Sequence, residues 1–249
     1  MQIYNATGVA TTGTLILNKG VGALLIGSSL EFNALVLEKI SVFVERAGKN
    51  TNIVQDMFLK DFMLLASVAE DTILPAGTLA CTAMCELTED GGYIQLSENE
   101  TIKIVLTGLT PAATYAIYGI EEPVGSNEVL LYETKVMASA ILNQDFDTVG
   151  YDVLVMTKDA SLSEISLTYD NGNVVKLLPI ELEALQKSID PMQIVTAGGL
   201  VLYNTTRYQI PLKGITNVNI RKTAGVDHYI NLRIDESDFQ LYQLPNLKR

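Results

Sequence analysis

The chain has no tryptophan, one histidine and two cysteines in 249 residues. Each scarcity removes a class of function. A metal centre built from several histidines and a carboxylate inside a β-barrel cannot be assembled from His228 alone. Ser–His and Cys–His nucleophile pairs fall away too, unless His228 serves by itself. The plainer reading of His228 is a strand residue beside Tyr229. Cys81 and Cys85 sit four apart in a β-rich segment, which places them on one face about 13 Å apart. A disulfide needs Cα atoms within about 7 Å. Two buried free thiols are therefore expected, in a chain made in a reducing cytoplasm. No run of 18 uninterrupted apolar residues occurs, which leaves no transmembrane helix to expect. Met1–Ala10 show neither a basic n-region nor an apolar h-segment, and no secretory signal is expected. Basic residues are also few, 17 against 29 acidic, for a net charge of -12. Nucleic acid is not expected as a direct partner, because a nucleic-acid surface needs clustered Lys and Arg to release counterions.

What is present is an unusual amount of apolar residue, 48%, and an internal echo. Ile40-Ser41-Val42-Phe43-Val44 leads into a Gly/Asn turn (Gly48, Asn50, Asn52) and then an apolar helical stretch through Leu65. Ile165-Ser166-Leu167-Thr168-Tyr169 leads into Asn171-Gly172-Asn173 and then Pro179–Leu185. Ile165 follows Ile40 by 125 positions, half the chain. Further on, Ile94 is matched to Ile210 and Tyr115 to Tyr229. An ordered repeat at this period is a duplicated domain rather than a solenoid unit. Two domains near 120 residues can each bury a core.

The strand pattern dominates. Thr14–Leu17, Ala23–Ile26, Leu35–Glu45, Thr78–Leu87, Tyr93–Leu96, Thr101–Leu106 and Thr114–Ile120 are β-rich in the first half. Val129–Met137, Tyr151–Thr157, Glu164–Tyr169, Leu200–Tyr203, Tyr208–Leu212, Asn217–Arg221 and Tyr229–Ile234 are β-rich in the second. Gly, Asn and Pro punctuate them. Short strands with turn signals every 8–12 residues predict sandwich or barrel domains. Two helices interrupt the pattern: 56–66, with Asp56 as N-cap, and 179–188, opening on Pro179 at the first helical turn. The domain boundary is placed in 121–128, giving domains 1–122 and 129–249. The expected fold is all-β: two tandem eight-stranded jelly-roll β-sandwiches, each with one short helix in a loop.

That organisation, carried by Ile40–Leu65, Ile165–Leu185, the closing segments Tyr115–Glu121 and Tyr229–Asp235, and Val149-Gly150-Tyr151-Asp152-Val153-Leu154-Val155, resembles the double jelly-roll major capsid proteins of tailless icosahedral viruses. The likeness is nearest to those of small membrane-containing bacteriophages such as the corticoviruses. The resemblance implies a structural capsid protein of the virion, made in the host cytoplasm, and not an enzyme. It implies homotrimers of pseudo-hexagonal outline tiling an icosahedral shell. Implied partners are further copies, penton and minor capsid proteins, and an underlying lipid membrane. Short loops leave little room for the towers that decorate larger relatives.

No cofactor is expected. Oxygen ligands for a structural calcium exist in Asp145 and Asp147 and in Asp235, Glu236 and Asp238. The sequence around Asp145 lacks the later Gly and Glu of an EF-hand, and solvated carboxylates are the plainer reading. Crowding like-charged subunits makes these five residues candidates at subunit seams, with assembly favoured by salt or divalent cations. The alternative function is a carbohydrate-binding or spike/adhesin-type tandem β-sandwich module. Missing tryptophan counts against its stacking platform, and eleven tyrosines keep it open. A β-sandwich hydrolase with paired carboxylates ranks third.

Overall fold

The computed structural model describes residues 1–46, 49–67, 72–126, 128–188, 193–203 and 206–234. In the first half the strands are β1 (Gln2–Thr7), β2 (Leu15–Leu17), β3 (Ala23–Ser28), β4 (Lys39–Arg46) and β5 (Lys49–Phe58). Helix α1 (Leu59–Ala66) follows, then β6 (Thr72–Ala76), β7 (Leu79–Glu86), β8 (Tyr93–Ile94), β9 (Thr101–Thr107) and β10 (Thr114–Ile120). After β11 (Gly125–Ser126) come β12 (Tyr132–Met137), β13 (Asn143–Asp147), β14 (Tyr151–Thr157), β15 (Leu162–Tyr169) and β16 (Val174–Leu177). Helix α2 (Pro179–Ser188) precedes β17 (Gln193–Val195), β18 (Val201–Tyr203), β19 (Arg207–Pro211), β20 (Ile215–Lys222) and β21 (His228–Ile234). The chain is all-β with two short helices, as its patterning requires.

The two halves are wired identically. In the first, one sheet runs β2-β9-β4-β5 and the other β1-β10-β3-β7. In the second, the order is β13-β20-β15-β16 and β12-β21-β14-β19. Each strand of these four-strand sets thus has a counterpart at the same position in the other half, and every pairing within the sets is antiparallel; the β1-β10-β3-β7 set continues through β6, β17 and β18 as one seven-stranded sheet. Period-two alternation drives the layering. Ile40, Val42 and Val44 of β4 and Ile102, Ile104 and Leu106 of β9 are all fully buried. Ile165 of β15 and Ile220 of β20 play the same part in the second core, where they are register partners.

The echo holds for Ile40 and Ile165, which lie on counterpart strands. It fails for the other two pairs. Ile94 lies on β8, whereas Ile210 lies on β19, the counterpart of β7. Tyr115 and Tyr229 do share counterpart strands but point oppositely. Tyr115 is buried in its own core, while on β21 the side chains buried inside the second sandwich include His228, Ile230 and Leu232, and Tyr229 turns outward onto Phe58.

Three local expectations need correction. The first helix starts at Leu59, not 56, and Asn50, Asn52, Met57 and Phe58 belong to β5. A bulge is the reason. Ile40 pairs Met57 and Val42 pairs Val54, so β5 carries one extra residue there. Asp56 takes it up in a left-handed conformation, φ +48°, held by a 2.9 Å bond from its N–H to Ser41 Oγ and an ion pair with Lys39. Asp56 therefore caps nothing, and Leu59 N–H donates instead to Glu38 O at 2.8 Å. Second, β16 intervenes between the Asn171–Asn173 turn and α2. That helix does open as expected on Pro179, and Glu181 Oε2 reaches back to accept from Leu178 N–H at 2.8 Å, half of a capping box. Third, the stretch chosen for the boundary holds an unexpected short strand, Gly125–Ser126. β11 pairs in parallel with β8, and Leu130 N–H donates to Leu87 O. Gly48 lies outside the described residues.

Candidate assembly surface

The strand order above makes β5 and β16 counterpart edge strands, and α1 and α2 counterpart helices. Their surroundings differ sharply. All eight residues of α1 are buried. One side of the helix packs on its own half through β4, β5 and β7, and the other on β14 and β21 of the second half, while β5 abuts β12. Parallel pairing of β6 with β17, Ile73 opposite Ile194, carries one sheet across the same seam.

The seam's centre is polar and closed. Asp61, on α1 and fully buried, accepts from Arg207 Nε and, at 2.8 Å, from Asn231 Nδ2. Asn231 Oδ1 in turn accepts from Thr134 Oγ at 2.8 Å. Burial favours the neutral acid and raises the pKa of Asp61, opposed by Arg207, Lys60 and Asn231. Lys60, 1% exposed, donates to Asn33 O at 3.0 Å and lies over the Phe32 ring. Burial, followed by the Arg207 charge, brings its pKa down to about 8. Around this centre are edge-to-face pairs, Phe58 with Tyr229 at 4.8 Å and Phe62 with Tyr132 at 5.2 Å. At the rim is an open cleft of about 360 Å³ lined by residues including Lys39, Asp56, Glu133 and Tyr229.

Among the described residues the counterpart region has no such cover. Leu182 and Gln186 of α2 face their own half, with Gln186 Nε2 donating to Arg207 O at 3.1 Å. Ile180 is 74% exposed, and Leu178, Val174 and Val175 are exposed beside it.

Asp145 and Asp147 stand two apart on β13, both exposed, on the outward side of Phe146. Asp145 Oδ1 accepts from Asn219 Nδ2 at 3.1 Å, and Asp147 Oδ1 from Val149 N–H at 3.0 Å. Asp235, Glu236 and Asp238 lie outside the described residues. Among the described residues no group of three His, Cys, Asp or Glu gathers around a possible metal position. Cys81 and Cys85 are free and buried on one face of β7. Burial pushes both thiols up to about 12, which keeps them protonated and unreactive.

His228 has a partner that sequence spacing did not suggest. Ser161 Oγ lies 3.2 Å from its Nε2. The pair is not arranged as a nucleophile and base. Asp159 bonds to Ser161 N–H at 2.7 Å rather than orienting the imidazole, and both His228 and Ser161 are buried. Burial, then the Lys222 charge, lowers the His228 pKa. The ring is a neutral core group joining β21 to the β14–β15 loop.

A second polar cluster lies inside the first sandwich. Glu38, 2% exposed, takes N–H bonds from Val36 and Leu37 on Oε2 and hydroxyl bonds from Thr110 and Tyr115 on Oε1, at 2.7–3.1 Å. Burial alone would raise its pKa, but these bonds outweigh it and hold the carboxyl below its usual range. Gly108 packs against the same turn. Its φ is +65°, and a Cβ there would lie 2.4 Å from Leu37 O.

No protein-family model matches the sequence, and no curated protein is similar to it. The solved structures do show a likeness. The major capsid protein P2 of bacteriophage PM2 superposes with a TM-score of 0.51 at 14% identity, covering 93% of each chain. The exported protein XepA of PBSX aligns with 94% of this chain and 86% of its own at 11% identity, but its TM-score of 0.25 carries no weight. At such identity the first comparison speaks to fold alone: this chain shares the fold of a phage major capsid protein along nearly its whole length.

Proposed function

We propose that this protein is the structural subunit of a phage capsid, a double jelly roll with domains at 1–122 and 129–249. The observation that carries the reading is the doubled strand order. Two antiparallel sets of four strands recur in the same order in each half, which supports a jelly roll in each, in a chain that shares its fold with the PM2 protein. Two like domains per chain, three chains per ring, give a pseudo-hexagonal tile that packs against its own copies on every side. Apolar residues left exposed, with no helix long and apolar enough to cross a membrane among the described residues, fit such a subunit, because neighbouring copies cover them. Its partners are other copies of itself, with penton and minor capsid proteins and a lipid membrane beneath the shell. It resides in the virion after synthesis in the host cytoplasm. The reading invokes no catalysis.

Native mass spectrometry and electron microscopy of the purified protein test it. A species of three times 27.1 kDa, with flat hexagonal tiles or closed shells, is the expected outcome. Persistent monomers at high concentration that bind a sugar stoichiometrically would overturn it in favour of a tandem β-sandwich adhesin.

A further inference from the structure

We infer that the β16–α2 unit of each chain is covered by the outer face of the β1-β10-β3 strands of a second copy, as β5–α1 is covered by β12, β21 and β14 within the chain. The inference deepens the capsid reading and rests on it for the number of copies in the ring.

The argument starts from a mismatch between equal topology and unequal burial. β4–β5–α1 and β15–β16–α2 occupy the same places in the two halves. In the first unit every helical residue is buried, and β14 and β21 of the second half of the chain pack against the helix. In the second unit four apolar side chains between positions 174 and 180 lie open: Val174 54%, Val175 41%, Leu178 52% and Ile180 74%. Ile180 and the exposed Ala184 are one helical turn apart, so they form a single ridge along α2. Val174 and Val175 open opposite faces of the β16 edge, and Leu178 with the Ile180–Ala184 ridge groups exposed apolar side chains at the start of α2, which marks a contact surface.

Topology also identifies the cover. In the second half, the strands lying against β5–α1 are β12, β14 and β21, and they present the face that points away from their own sandwich. Val155 and Asn231 are register partners on that face. Val155 belongs to the first half's core, not the second's, and Asn231 bonds to Asp61 of α1. The counterpart strands in the first half are β1, β3 and β10. There Leu25 and Tyr118 are register partners, with Met84 of β7 beside Leu25. Their neighbours Leu24, Ile26 and Ile117 fill the core, so Leu25, Tyr118 and Met84 point outward, and all three are half-buried. This face holds the same place in the strand order as the one that already buries α1. Among the described residues each chain thus presents one open helix unit and one half-buried outer sheet face. The contact is heterologous, head to tail, and closes into a ring when its rotation permits.

Mixing experiments test the assignment. Ile180→Glu and Leu25→Glu are each expected to weaken association at least roughly tenfold, the loss from unburying one large aliphatic side chain. Ile180 is solvent-exposed in the single chain, so at dilutions where both are monomeric the Ile180→Glu melting curve should match that of the wild type. Mixed together, the two variants retain one intact contact and should form one-to-one pairs that grow no further. Cross-linking does not depend on the Leu25 variant folding. Ile180→Cys mixed with Tyr118→Cys should give a mixed disulfide, with the buried Cys81 and Cys85 silent. Wild-type tiles unaffected by Ile180→Glu, or disulfides linking Ile180→Cys to itself, would overturn this contact and leave the capsid reading standing. A wild-type protein that never self-associates would overturn both.

Discussion

Replacing Asp61 by alanine should be among the most damaging single changes in the described part of the chain. Its carboxylate joins helix α1 to residues 146 and 170 positions later, Arg207 and Asn231. Arg207 is 8% exposed and Asn231 fully buried. Truncation leaves a buried guanidinium and a buried amide short of their acceptor. Breaking one side of a buried ion pair costs about 3–5 kcal/mol, a large part of the roughly 5–15 kcal/mol that holds a domain folded. The triple replacement Asp61→Leu, Arg207→Met, Asn231→Leu removes the stranded groups together with the pair. It should recover most of the loss, because a well-packed apolar substitute for a buried ion pair is often neutral. Urea unfolding, followed by circular dichroism and by tyrosine fluorescence in this tryptophan-free chain, measures both. With a slope of about 1–3 kcal/mol per molar urea, the Asp61→Ala midpoint should fall by at least about 1 M. The two probes should also separate, as the halves lose their coupling. A loss below about 1 kcal/mol, or a triple variant as weak as Asp61→Ala, would refute this account of the seam.

Glu38→Gln should cost about 2–3 kcal/mol at pH 7, where four donors meet a full carboxylate. Because the folded pKa of Glu38 is depressed, its contribution is present above about 4.5 and lost as pH falls through the folded value; the gap in urea midpoint between wild type and variant should close in acid. Lys60→Met probes the opposite sign. Its folded pKa of about 8 lies below the usual 10.5, so the unfolded chain binds more protons between those values and wild-type stability should rise with pH there relative to Lys60→Met. The full gap amounts to about 3 kcal/mol, and a difference that stays flat from pH 7 to 10 would remove the case for a strained lysine. Assembly of a subunit with net charge -12 should strengthen with ionic strength, as measured by light scattering. A further loss on chelation at fixed ionic strength would implicate a divalent ion at seams holding Asp145, Asp147, Asp235, Glu236 and Asp238, while shells indifferent to chelator at low and high salt would exclude one.

The sequence by itself determined the class of fold, the doubling, the position of α2 and the state of the cysteines. These follow from local rules: period-two burial in β4, β9 and β15, proline at a first helical turn, and strand geometry that holds Cys81 and Cys85 apart. Central strands were legible because both neighbours and the core demand apolar side chains at every second position. Four of the edge strands were not. β1, β5, β13 and β16 each have one strand neighbour within their sheet, and segments such as Asn143–Asp147 need little apolar content to pair along a single edge. The echo of Tyr115 and Tyr229 misled because letters carry no facing, and a shift of one residue in a strand exchanges inside for outside. The seam was invisible for a different reason. Asp61, Arg207 and Asn231 look like ordinary polar residues of a helix and two strands, and nothing local links positions so far apart. Only the tertiary structure decided that α1 is buried between the halves while α2 is left open, because burial depends on what packs alongside, and two elements of like pattern meet different neighbours.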